Sequence, residues 1–262
     1  MISQIYVDTV NSWHARRISS LRSDYGWLTV VGLEWLKEGV NIVPDLGGIT
    51  LQRGKVSVQI AAGLSGVIGE NAFTAGNIKT EEDVKGPDKV KVGSKAFVVL
   101  VRGDRFALRI WDTNAEARKR FSGIIRFPVS EKWKIAASWE QYKKPKTVKL
   151  PTAIPKYTEE YKVPGVALLN VGGNVVRLEP IIEEGSNELF FIVQDGTSGR
   201  ETFADGRYLY APPAARGIVE LDFNKAINPP SAFTRYATSP LAPEANKISV
   251  RIEAGEKAYI GV

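Results

Sequence analysis

"FVVLVRGDRFALRIWD", Phe97–Asp112, decides the fold. Two apolar runs flank Gly103-Asp104, a pair suited to a tight hairpin turn whose first residue takes positive φ. The turn also accounts for the letters Arg-Gly-Asp, which need no adhesion role. Working outward toward the N-terminus, "KVSVQI" (Lys55–Ile60) alternates with a period of two, and "GWLTVVGLEWLKEGVNIV" (Gly26–Val43) is aromatic and punctuated by glycine. "AAGLSGVIGENAF" (Ala61–Phe73) lacks the endings of a phosphate loop or a dinucleotide fingerprint and reads as tight turns.

On the C-terminal side, "TNAEARKRFSG" reads as a short helix or turn, and "WKIAASWEQY" and "TVKL" as strands. "GVALLNVGGNVVRLEPI" reads as a second hairpin with glycines at its turn. "NELFFIVQD", "GRYLYAP" and "GIVELDFN" are expected to form a three-stranded meander, and "KISVRIEAGEKAY" a last strand. Residues 2–22 form the one long helical pattern, with Ile5, Thr9 or Val10, Trp13, Arg17 and Leu21 near helical spacing. The expectation is a mainly β fold, with antiparallel meanders and hairpins forming a barrel or sandwich and one N-terminal helix. It is read as a single domain over 1–262. The polar stretch 152–164, inside which "KYTEEYKVPG" begins, would mark any sub-division into 1–150 and 165–262.

Composition excludes several chemistries. The chain has 262 residues, a net charge of +6, no cysteine and a single histidine, His14. Disulfides, thiolate nucleophiles and thiolate-held zinc are ruled out, and a His-ligated metal site lacks imidazoles. A Ser-His-Asp triad would have to recruit His14 from a helix and is not expected. No metal and no cofactor is implied. "KKPKTVK" and "EARKR" lack interleaved aromatics and read as solvated faces, so nucleic acid is not the expected partner. The N-terminus has no apolar secretory core and no run approaches a membrane span, so a soluble, cytoplasmic protein is expected. Few thermolabile residues with abundant Lys, Glu, Ile and Val fit heat adaptation.

The candidate site lies near the C-terminus. In "LDFNKAINPPSAFTRYATSPLAP" (Leu221–Pro243), a strand ends in Asp222 and Asn224, and Asn228 precedes two prolines that hold it extended. Asp195 ends an apolar strand, Thr197 follows in a glycine-flanked turn, and Arg207 opens the next strand. If these strands are neighbours, Arg207 falls between Asp195 and Asp222 and holds both ionised. The three are the candidate catalytic residues, and the proline-rich stretch is expected to be a rigid lid anchored by Phe233 and Tyr236. Taken singly, each of these polar residues reads as a turn fastener or structural salt bridge rather than a site residue, and only together do they point to a site. Arg109 and Asp112 of "LRIWD" form a second candidate, with Arg109 placed to meet an anion.

These motifs resemble the Domain of Unknown Function 1684 family along nearly the whole chain. The carriers are "GWLTVVGLEWLKEGVN", "RGDRFALRIWD", "FSGIIRFPV", "QDGTSGRETFADGRYLY", "LDFNKAINPPSAFTRYATSPLAPEANKI" and "EAGEK". The positions matching the pattern are Arg109, Asp112, Asp195, Thr197, Arg207, Asp222, Asn224, Asn228 and Asn246, the last entering through the resemblance alone. The resemblance also implies cysteines in relatives where this chain has Ser231 and Ser239. It assigns no activity. The residues themselves favour a protein handling a polar or anionic small molecule, as a carboxylate-dependent hydrolase or as a non-catalytic ligand- or peptide-binding module. A third reading is a purely structural protein. Oligomeric state is not legible.

Overall fold

The computed structural model describes residues 3–261. The fold is mainly β, built from antiparallel sheets, with one long N-terminal helix, α1 (Gln4–Arg22). The chain divides into two compact units, Leu21–Phe121 and Met1–Ser20 with Ser122–Val262. The units therefore part near residues 20 and 121. The stretch 152–164, expected to carry any sub-division, runs instead into a strand of the second unit.

Unit Leu21–Phe121 holds β1 (Val30–Trp35), β2 (Gly39–Val43), β3 (Gly47–Gln52), β4 (Lys55–Ile60), β5 (Gly66–Ile68), β6 (Asn71–Phe73), β7 (Ala75–Ile78), β8 (Val90–Val92), β9 (Lys95–Arg102), β10 (Arg105–Asp112) and the short helix α2 (Glu116–Arg120). The hairpin forms as read: β9 pairs with β10, Arg102 opposite Arg105, and Gly103 turns at φ +62°. β10 also pairs with β1, so the hairpin lies inside a six-stranded sheet, β1-β10-β9-β8-β5-β6. A second sheet, β2-β3-β4-β7, shares its core, where Ile49 and Val58 meet Phe97, Val99 and Leu108.

The other unit holds β11 (Lys134–Pro151), β12 (Thr158–Val171), β13 (Asn174–Leu178), β14 (Leu189–Val193), β15 (Arg207–Ala211) and β16 (Ile218–Asp222). "WKIAASWEQY" and "TVKL" belong to one long strand, β11, whose pairing with β12 shifts register between Gln141 and Lys146. β14 and β15 pair as expected, but the meander stops there. β16 joins β11 instead, with Lys134 opposite Asp222, giving the sheet β13-β12-β11-β16. The link after β15 contains Pro212-Pro213, which cannot donate to a ladder, and turns at Arg216 and Gly217, both at positive φ.

The expected last strand is also corrected. Residues 248–255 form no ladder, yet Ile252 and Ala254 are buried while Arg251 and Glu253 are exposed, the alternation of an extended chain. The carbonyls of Ile252, Ala254 and Glu256, two residues apart, all accept from the guanidinium of Arg207. A side chain thus serves this segment where a neighbouring backbone normally would. Ile252 and Ala254 pack with Phe191, Leu209, Leu221 and Phe223 in the core of this unit.

Candidate functional site

Helix α1 turns polar groups inward. Ile5, expected on its apolar stripe, is 80% exposed. The covered face runs through Tyr6, Val10, His14 and Arg17, spaced four, four and three apart, so one side of the helix carries them all. Three of these four are polar. A helix that gives its buried stripe to a phenol, an imidazole and a guanidinium forgoes apolar burial there.

Tyr6 is clamped. Its hydroxyl donates to Asp222 Oδ1 at 2.7 Å and accepts from Asn224 Nδ2 at 2.9 Å. Asn224 also exchanges two hydrogen bonds of 2.9 Å with the backbone of Ser130, and Lys225 Nζ lies 3.2 Å from Asp222 Oδ2. Burial, then Asp222, push the Tyr6 phenol well above the usual tyrosine value. Asp222 and Asn224 are therefore occupied in holding the helix to the end of β16.

Asp195, Thr197 and Arg207 form a separate knot. Arg207 Nη2 meets Asp195 Oδ2 at 2.5 Å, and Asp195 Oδ1 accepts from Thr197 N and Oγ1 at 2.6 and 2.5 Å. Burial pushes the Arg207 guanidinium below its ordinary value, and Asp195 opposes that shift. Arg207 pairs with Asp195 and with the carbonyls of residues 252, 254 and 256. It does not sit between Asp195 and Asp222 as expected, because β16 left the meander. The two carboxylates serve different anchors.

The Arg207 knot reaches Glu256. Its segment is held by Arg207, by Glu256 N donating to Ala226 O at 2.8 Å, and by Lys257 N donating to Ile125 O at 2.8 Å. Gly255 makes this possible. Its φ is +74°, and a Cβ there would lie 2.5 Å from Ala226 O and 2.7 Å from Phe223 O, so no larger residue fits. Asn228, fixed by the prolines after it, then orients the carboxylate. Its backbone N and its Nδ2 both donate to Glu256 Oε2, at 2.7 and 3.1 Å, while Nδ2 also reaches Lys257 O at 2.8 Å.

That leaves Oε1 facing the helix. His14 Nε2 lies 3.6 Å from it and Arg17 Nε 3.5 Å, while Arg17 Nη2 donates to Asn228 O at 3.0 Å. The Glu256 side chain is 1% exposed, against 13% for His14 and 15% for Arg17, so the carboxylate lies beneath and the two cationic-type groups reach the surface. Burial lowers the Arg17 guanidinium, and Glu256 opposes this. The Arg17 guanidinium lies 5.5 Å from the Phe233 ring, which packs on Tyr259 at 5.0 Å. His14 Nε2, Arg17 Nε, Glu256 Oε1 and Asn228 Oδ1 are all buried without a hydrogen-bonding partner. Natural proteins leave few such atoms, and four of them gather in this one cluster, while the Asp222 knot leaves one, Oδ2.

The remaining expectations fall elsewhere. Asn246 is a backbone fastener, accepting from Glu179 N and donating to the carbonyls of Glu179 and Ile192. Arg109 and Asp112 belong to unit Leu21–Phe121. There the Arg109 guanidinium lies 4.9 Å from the Trp27 ring, and Asp112 Oδ1 accepts from Asn114 N in a turn. In the proline-rich stretch, Phe233 is buried, Tyr236 half-buried, and Ser231 N donates to Ser239 Oγ at 3.0 Å. Among the described residues, no group of three or more His, Asp or Glu side chains is arranged to hold a metal ion. None of their helices is long and apolar enough to cross a membrane.

Sequence reasoning missed His14, Arg17 and Glu256. The signals were present: a lone histidine one helical turn from an arginine, and a glycine before Glu256 in "EAGEK".

The family described as "Protein of unknown function (DUF1684)" matches residues 119–257, a stretch that contains Asn228 and Glu256 but not His14 or Arg17. Among solved structures, the chain is similar to the solution structure of an uncharacterized protein of Haloarcula marismortui, at 26% identity over 54% of this chain and 80% of that one, with a TM-score of 0.46. No curated protein matches. With the match covering just over half of its length, the chain belongs to the DUF1684 family of proteins of unknown function.

Proposed function

We propose that the protein is a hydrolase acting on a small polar anion, with His14 as general base, Glu256 as the group that orients it and Arg17 as the anion anchor. The observation that carries this reading is the one histidine of the chain facing a buried, doubly fastened carboxylate. His14 Nε2 lies on the Glu256 side, 3.6 Å from Oε1, so Nδ1 is the ring nitrogen assigned to take a proton from water. Arg17, next to His14 and partly exposed, supplies a charge that is always on. The candidate residues Asp195, Asp222, Arg207, Asn224 and Asn228 then act as the bracing that sets this geometry rather than as the reacting groups.

The test is a panel of phosphorylated and carboxylated metabolites, read first by thermal shift and then by turnover. The expected result is a hit whose turnover falls by about 10²–10⁴-fold in His14→Asn, with binding retained. Turnover unchanged in that variant overturns the catalytic assignment. Binding without turnover in the native protein favours a ligand-binding module built on the same residues.

A further inference from the structure

A cleft lies in the unit that contains β11–β16, and none of its lining residues belongs to the His14–Glu256 centre. It measures about 610 Å³ and opens between the start of β11, the β12–β13 hairpin and residues 249–253. Its floor is apolar, with buried Trp133 and half-buried Ile135 and Val250. Its polar groups sort themselves by what they already hold. Arg251 is committed to Glu201 at 2.5 Å and to Glu253 at 3.0 Å, which also accounts for the one acidic group in the lining. Asn170 Oδ1 accepts from Gly173 N at 2.9 Å.

Two donors remain. Lys132, exposed at the rim, makes no ion pair with any described residue, and its Nζ lies 5.1 Å from the Trp133 ring centroid. Trp133 Nε1, on a ring that lines the cleft, is buried and has no acceptor in the protein. An aromatic and aliphatic floor beside an ammonium that makes no ion pair with any described residue suits a ligand with a flat apolar body and an anionic end. We propose that this cleft is a binding site for a small aromatic carboxylate, with the ring against Trp133 and Ile135 and the carboxylate at Lys132.

Benzoate is the probe, with benzamide as its neutral counterpart. The six tryptophans give six indole N–H resonances in a ¹H–¹⁵N spectrum of the full chain, and Trp133→Phe identifies one of them. Benzoate is expected to move the Trp133 resonance saturably, benzamide to leave it in place, and Lys132→Gln to weaken benzoate at least ~10-fold. The same spectra report whether each variant is folded. Absence of a saturable shift, an equal response to benzamide, or undiminished affinity in Lys132→Gln overturns the assignment. So does a response to short extended peptides but not to benzoate. Because His14→Asn leaves this cleft intact, failure here and failure of the hydrolase reading are separate outcomes.

Discussion

At the scale of single residues, the centre is set by small steric and hydrogen-bonding facts. Replacing Glu256 with Gln removes the counter-charge of the partly exposed Arg17. The pair is only partly desolvated, so the urea midpoint is expected to fall by the equivalent of about 1–3 kcal/mol. A midpoint within error of the native protein would mean that Arg17 does not depend on this carboxylate. Replacing Gly255 with Ala drives a methyl group into the carbonyls of Ala226 and Phe223 at positive φ, and soluble yield is expected to collapse. Asn228 is legible in the sequence because two prolines constrain it locally. Glu256 is not, because what singles it out is Asn228 and Arg17 arriving from distant parts of the chain. His14 stays inconspicuous because a helical position says nothing about which face is covered.

At the scale of elements, local pairings are legible and remote ones are not. The β9–β10 and β12–β13 hairpins are written in adjacent runs with glycine turns. The pairing of β16 with β11 depends on a choice between two available edges, which no local pattern encodes. Residues 248–255 alternate like a strand, yet the carbonyls of Ile252 and Ala254 accept from the side chain of Arg207. This makes Arg207 more demanding than an ordinary ion-pair residue. The substitution Arg207→Lys leaves a single nitrogen, which cannot reach three carbonyls and a carboxylate together. The variant is expected to lose about 3–5 kcal/mol, measured by denaturant unfolding, despite keeping the charge. Near-native stability would show that the charge alone holds the segment. Replacing Phe233 with Ala empties the contact between Arg17 and Tyr259. It is expected to cost about 3–5 kcal/mol by the same measurement, and a loss below about 1 kcal/mol would make the proline-rich stretch independent of this ring.

At the scale of the whole molecule, three tyrosines make stability sensitive to alkali. Burial, first among the causes for each, holds Tyr6, Tyr161 and Tyr208 above the usual phenol value of about 10. Below that pH both folded and unfolded chains keep these protons, and the contribution is complete. Above it the unfolded chain releases protons that the folded chain retains, so stability falls as pH rises. Denaturant midpoints are expected to decline between about pH 9 and about pH 11, with these phenols silent in tyrosinate absorbance until the chain unfolds. A flat profile would place them in the ordinary range. A different consequence follows from the pairing of His14 with Glu256, which lie ~240 positions apart in the chain. On a ribosome adding about 5–20 residues per second, the imidazole emerges on the order of 10–50 s before the carboxylate that will orient it. Until then His14 and Arg17 stand without the carboxylate they meet in the folded chain, so the centre is completed only when synthesis reaches residue 256.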